Sequence, residues 1–231
     1  MNGKVASMDP IDRTAVPKIQ QTAEKVREHE EKFLSTNELN DVLSLIRKDY
    51  PFLADIFDFQ ARTGLRFGEL AALREEDYDG NNIDVNATLC WTGRRKGAHR
   101  GTPKNAYSVR RIELDRRSKH IVENFILRNK QRRQWFKRCE EPTHYIFTTS
   151  KGGPIDIAFA NRVLRKLNYK KKLSIHIFRH THISLLAERG VPLKAIMARV
   201  GHNDPATTMS IYTHVTDTMS QAAVRAMDAI K

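Results

Sequence analysis

The sequence predicts an α+β fold, mostly helical, with one small antiparallel three-stranded sheet. Three observations predict it. Apolar residues recur at helical spacing near both ends of the chain, a middle stretch shifts to β-branched residues that partly alternate, and Gly, Pro and Asn punctuate the joins.

Residues 1–33 are polar and interrupted by Pro10 and Pro17; they read as a linker or tail, partly vector-derived at MNGKVASMDPIDRT, with a short helix over Glu24 to Lys32. The domain, 34–231, opens at FLSTNELNDVLSLI. There Ser35 or Thr36 can cap a helix, Glu38 completes a capping-box pattern, and Leu39, Val42, Leu43 and Ile46 form the apolar face. PFLADIFDFQARTG predicts a second helix stopped by Gly64, and GELAALREEDY a third. NNIDVNATLCW and AYSVRRIEL predict a hairpin joined by the basic segment GRRKGAHRGTPKN, with YIFTTS as a third strand and KGGP as the turn after it. Helices are then expected at IAFANRVLRKL, HIFRHTHISLLAERG, PLKAIMARVG and DPATTMSIYTHV, and a C-terminal helix over 217–231.

Composition narrows the partners. The 231 residues suffice for one substantial core. No apolar run approaches the ~20 residues that cross a bilayer, and the N-terminus lacks a secretory core, so the chain is expected in the cytoplasm with no membrane partner. Cys90 and Cys139 are too few for a disulfide framework and form no CxxC pair. The net charge of +13 is concentrated: between Arg94 and Arg138 sixteen Lys or Arg face three acids, a surplus equal to that of the whole chain. A band of that kind is a solvated face or the footprint of a polyanion, and double-stranded DNA is the expected partner.

HIFRHTHISLL places His176, Arg179, His180 and His182 on one helix that also carries apolar residues. His176 and His180, at i and i+4, have a spacing that can serve zinc, but the glutamate of the known His-Glu-x-x-His arrangement is missing. His180 and His182 suit packing roles with local hydrogen bonds.

Four segments read in order carry more. ARTGLRFGEL, TPKNAYSVRRIEL, HIFRHTHISLL and VGHNDPATTMSIYTHV resemble the boxes of the tyrosine recombinase family, also called phage-type integrases, over roughly residues 34 to 216. Members usually carry an N-terminal DNA-clamping domain as well, so the chain looks like an isolated catalytic domain. The resemblance implies that Arg66 and Arg179 bind the scissile phosphate, Glu69 fixes Arg66, Lys104 sits on a mobile hairpin turn, His176 and His202 complete the pocket, and Tyr212 is the nucleophile. Ser108, Arg110, Ile112 and Leu114 follow the family's Ser-x-Arg-x-Ile-x-Leu run. The basic loop, with Arg94, Arg95, Lys96, Arg100, Arg110 and Arg111 beside Trp91, His99 and Tyr107, is the expected DNA-binding surface.

The chemistry agrees with that assignment. Attack on a phosphodiester builds charge on the nonbridging oxygens, which two permanently charged, bidentate guanidinium groups can hold. A tyrosine with an ordinary pKa of about 10 needs a base or a cationic site, and His176 is the candidate base. Lys104 can protonate the leaving 5′ oxygen, and His202 can donate to a nonbridging oxygen. No metal or nucleotide cofactor is required, because the phosphotyrosine stores the bond energy. Site-specific recombination through a 3′-phosphotyrosine is the expected function; a type IB topoisomerase and a noncatalytic DNA-binding module are the alternatives. Singly, Tyr212 could be a packing tyrosine, Arg66 a helix-end cation and His202 a cap. Met219, Ala223, Ala226 and Ile230 form a C-terminal apolar stripe. It packs on its own core or, as the resemblance implies, docks on a neighbouring subunit of a tetramer on DNA, with room for accessory DNA-bending or directionality proteins.

Overall fold

The computed structural model describes residues 32–91, 98–102, 108–135, 144–149, 151–201 and 205–228. The expected helix over Glu24 to Lys32 falls almost wholly outside them. Helix α1 (Thr36–Asp49) begins with the capping box: the Glu38 N–H donates to Ser35 Oγ at 3.3 Å, and the Ser35 N–H donates to Glu38 Oε2 at 2.9 Å. Its buried face is Leu39, Val42, Leu43 and Ile46, as the spacing predicts. Helix α2 (Pro51–Thr63) starts on a proline, whose missing N–H is harmless in a first turn, and ends at Gly64 with φ of 68°. Helix α3 (Phe67–Ala72) is short and gives way to a 3-10 turn at Glu75–Asp77.

The strands are β1 (Asn82–Val85), β2 (Thr88–Trp91), β3 (Ala98–Gly101) and β4 (Arg110–Glu113). Among the described residues they form two antiparallel pairs and not one three-stranded sheet. The outer pair is β1 with β4, in register Asn82 to Glu113, and the inner pair is β2 with β3, in register Thr88 to Gly101. The expected hairpin is therefore present, with an extra strand, β3, in what reads as loop. The break at Asn86 has a cause: its amide donates to Asp77 Oδ1 at 2.7 Å and accepts from Arg100 at 2.6 Å. The described part of YIFTTS, residues 145–149, makes isolated bridges, Arg74 to Tyr145 and Thr148 to Pro154. The Asn129 amide takes the Tyr145 and Ile146 carbonyls at 3.0 and 2.9 Å, so a side chain stands where a neighbouring strand would.

Helix α4 (Arg116–Trp135) is absent from the sequence-based expectation. Its buried face, Ile121, Val122, Phe125 and Asn129, is narrow, and Lys and Arg surround it, so it reads as a charge run. The remaining helices are α5 (Ile157–Lys166), α6 (Ile175–Glu188), α7 (Leu193–Val200) and α8 (Pro205–Asp228). Helix α8 is continuous, so Tyr212 lies on one rod with the stripe positions Met219, Ala223 and Ala226.

The main core joins α1 through α6 and the strands; a second cluster of Ile183, Ala187, Ile196, Val200, Ile211 and Val215 joins α6, α7 and α8. Phe57 of α2 stacks on Phe178 of α6 with ring centroids 4.3 Å apart. Both rings are wholly buried, and cutting either to alanine costs about 3–5 kcal/mol. This stack fixes Phe178 beside Arg179, and so sets the next side chain along α6 against the end of α2.

Candidate active site

A helix C-terminus leaves carbonyls without intrahelical partners and carries partial negative charge, so it suits cations. Helix α7 ends at Gly201, whose φ of 65° is left-handed. Three consecutive carbonyls at this end each receive a different arginine. Arg199 O accepts from Arg110 Nε at 2.7 Å, Val200 O from Arg179 Nη2 at 2.7 Å, and Gly201 O from Arg66 Nη2 at 3.2 Å. The end of α2 holds the same group from the other side, because Gly64 O accepts from Arg179 Nη1 at 2.6 Å. Two helix ends thus grip one guanidinium while using two of its five N–H donors.

Glu69, on α3, ties the cluster together. Its Oε1 accepts from Arg66 Nη1 at 2.8 Å, and its Oε2 accepts from Arg110 Nη2 at 2.9 Å and from the Arg66 backbone N–H at 3.0 Å. Burial opposes ionisation of this carboxyl, yet the Arg110 charge above all, with Arg179 and Arg66, holds it below the usual carboxylate range. Burial and then repulsion from Arg66 push Arg179 down to about 9, which leaves it cationic at neutral pH. Three guanidiniums face one carboxylate. The surplus positive charge is held by neutral carbonyls, an arrangement prepared for an anion.

His176 lies one turn before Arg179 on α6 and is exposed, its ring only partly desolvated by its neighbours. Burial first, then the charges of Arg179 and Arg66, lower its pKa, so the neutral imidazole that a base requires is favoured. His182 is a packing residue. Its Nδ1 lies 2.9 Å from Ala61 O, which can only accept, so Nδ1 carries the proton; burial pushes the ring down to about 3. The ring lies under Gly64, where an added Cβ would stand 2.5 Å from His182 Cδ2, so only glycine lets the carbonyl reach Arg179. The His180 Nδ1 lies 3.2 Å from Lys32 O. Among the described residues no group of three or more His, Cys, Asp or Glu side chains converges as a metal site would.

Tyr212 is half-buried on α8 and packs against the second cluster, which includes Val200 at the end of α7. The two other tyrosines that could compete are poorly placed for attack: Tyr145 is buried, and the Tyr169 hydroxyl is enclosed. The structure therefore brings together Arg66, Glu69, Arg110, Arg179 and His176. Lys104, His202, Arg94, Arg95 and Lys96 lie outside the described residues. Arg100 and Arg111 are in ion pairs of the domain itself, Arg100 with Asp77 at 3.2 Å and Arg111 with Asp84 at 3.2 Å and with Asp79. Trp91 packs against Phe67 with centroids 6.2 Å apart. Met219 of the C-terminal stripe is exposed, as are Val224 and Met227 on the same helix; Ile230 lies outside the described residues.

Sequence reasoning missed the acceptor carbonyls. Their signal is a glycine that ends a helix just before a box: Gly64 stands two residues before Arg66, and Gly201 one before His202.

Comparison with known proteins points to one family. Residues 32–219 match the model of the phage integrase family. The integrase of Staphylococcus phage L54a is 36% identical over 232 aligned positions, covering 91% of this chain and 64% of that protein. The prophage ps2 probable integrase of Lactococcus lactis subsp. lactis is 37% identical, covering 94% of this chain and 59% of that protein. The chain thus spans about three fifths of the length of these relatives. In fold it is similar to the Tn1549 transposon integrase, solved in complex with transposon right end DNA, with a TM-score of 0.68 at 24% identity over 86% of this chain and 67% of that one. The XerA recombinase gives a TM-score of 0.59 at 20% identity over 82% of this chain and 62% of that one. No described helix is long and apolar enough to cross a membrane. On the family match, and with the arginine cluster in place, this chain belongs to the phage integrase family.

Proposed function

We propose that this chain cuts and reseals DNA strands through a 3′-phosphotyrosine, in service of site-specific recombination. The observation that carries this reading is the set of three guanidiniums gathered on the carbonyl end of α7 with only one carboxylate, Glu69, among them. In this reading Arg66 and Arg179 hold the scissile phosphate, Tyr212 attacks, and His176 takes the phenolic proton. Lys104 gives a proton to the leaving 5′ oxygen, and His202 donates to a nonbridging oxygen. No cofactor enters, because the arginines supply the charge a metal would supply. The basic band meets the DNA backbone, with Arg94, Arg95, Lys96, Arg100 and Arg111 as contacts once Arg100 and Arg111 exchange a carboxylate for phosphate. The exposed end of α8 docks on a neighbouring subunit of an oligomer assembled on DNA, a tetramer in full exchange, and accessory DNA-bending or directionality proteins join it there. The site of action is the cytoplasm.

The test is a duplex library with a randomised centre and a nick beside it. The chain is expected to leave denaturant-resistant adducts on a subset of sequences, with partner exchange only when two such sites are present. Adducts accompanied by supercoil relaxation on any single duplex would assign a topoisomerase instead. Salt-sensitive binding without adducts would leave a DNA-binding module.

A further inference from the structure

Arg110 lies on β4, six residues after Lys104 in the sequence, yet its side chain is only 8% exposed and turned inward. Each nitrogen has its own acceptor: Nε donates to Arg199 O at 2.7 Å, Nη1 to Ser108 O at 3.0 Å, and Nη2 to Glu69 Oε2 at 2.9 Å. The tie is mutual, because Arg199 Nη2 donates back to Glu113 O on β4 at 3.2 Å. Arg110 also lies across Gly201, where an added Cβ would come within 2.8 Å of its Nη1. A guanidinium so enclosed is poorly placed to touch a DNA backbone.

Its effect runs through Glu69. That carboxylate divides its oxygens, Oε1 to the Arg66 guanidinium and Oε2 to the Arg110 guanidinium and the Arg66 backbone N–H, so Arg110 is the one charged partner of Oε2. Without Arg110, the carboxylate can turn and take Arg66 side-on with both oxygens, the preferred pairing of the two groups. That pairing would occupy an additional Arg66 donor and draw the guanidinium toward α3. We propose that Arg110 is a positioning residue for the phosphate clamp: it keeps Glu69 divided, so that Arg66 stays presented to phosphate, and it joins the hairpin arm that follows Lys104 to the same carboxylate.

The proposal rests on the strand-cleavage reading, and its test separates the two. Single-turnover cleavage at saturating DNA is measured for wild type, Arg110→Gln, Arg66→Gln and the double variant, on a cleavable duplex and on one whose scissile phosphate is a neutral methylphosphonate. Arg110→Gln is expected to bind DNA within about 2-fold of wild type but to cleave the phosphodiester roughly 10- to 100-fold more slowly. The double variant should be no worse than Arg66→Gln within about 3-fold, because both act on one clamp. On the methylphosphonate, which carries no charge for Arg66 to hold, the Arg110→Gln defect should shrink to within about 3-fold. A general folding defect would persist on both substrates. If Arg110→Gln does not fold, Arg110→Lys keeps the charge and should show the same dependence on substrate. Additive losses, equal losses on both duplexes, or a loss of affinity alone would overturn the proposal and return Arg110 to direct DNA contact. A wild-type chain that leaves no adduct would overturn the function reading and this proposal together.

Discussion

Two arginine clusters flank α2, and they are built on opposite plans. Along its outer side Arg47, Arg62 and Arg117 meet Asp55, Asp58 and Asp115, three cations on three anions, at 2.7 to 3.4 Å. At its C-terminal end Arg66, Arg110 and Arg179 meet one carboxylate, Glu69, and otherwise only carbonyls. The first cluster is complete in itself. The second is ordered but electrically unfinished, in surroundings where Arg179 and Glu69 are each only 3% exposed. Carbonyl dipoles orient a guanidinium without cancelling its charge, so the field remains for a ligand. The difference teaches how to tell a structural arginine cluster from a functional one: the number of hydrogen bonds does not decide it, but whether the cations are matched by as many anions does.

Breaking the unfinished cluster should give the largest effect. Arg179→Gln is expected to lower single-turnover DNA cleavage by at least about 100- to 1,000-fold. Its melting temperature should fall by no more than about 3 °C, because the amide still donates to a carbonyl and repulsion from Arg66 is relieved. Kinetics and calorimetry on one preparation check both halves. A collapse in stability would mean that Arg179 is there for the fold.

The balanced cluster should behave in the opposite way. Asp58 accepts from both Arg62 and Arg117, and its side chain is 9% exposed while theirs are 41% and 40% exposed. Asp58→Asn should lower stability by about 1 kcal/mol, a fall of about 2–4 °C, and leave the cleavage rate unchanged. Thermal melts in parallel with cleavage assays decide the point.

The smallest effect sharpens the contrast through pH. Burial, Arg179 and Arg66 all disfavour the His176 imidazolium, so its folded pKa lies below the ordinary value. A base must be neutral; the acid limb of the cleavage profile should therefore fall below the usual imidazole pKa of about 6.5. With one of those charges removed, the residual activity of Arg179→Gln should show that limb at higher pH. A limb that stays in place would disconnect His176 from the cluster.

Much of this was legible in advance where the cause is local. The capping box at Ser35 and Glu38, the helix stop at Gly64 and the apolar spacing of α1 are all decided within a few residues. Helix α4 was not, because a narrow buried face at Ile121, Val122 and Phe125 is masked by the charges around it. Nor was the fate of YIFTTS, since Asn129 lies far from Tyr145 in sequence and takes carbonyls that a strand would need. The site divides in the same way. Arg66, His176, Arg179 and Tyr212 stand in recognisable boxes, whereas the inward turn of Arg110 depends on Glu69, 41 residues earlier, and on Arg199, 89 residues later.

The claim that this charge surplus serves a phosphoryl transfer to Tyr212 is tested most directly by mapping the covalent adduct. The chain is trapped on nicked duplex, digested with nuclease and protease, and sequenced by mass spectrometry. The account predicts a nucleotide remnant on the peptide holding Tyr212, and no adduct from Tyr212→Phe although DNA binding is retained. A remnant on Tyr145 or Tyr169, or an adduct that persists in Tyr212→Phe, would contradict it.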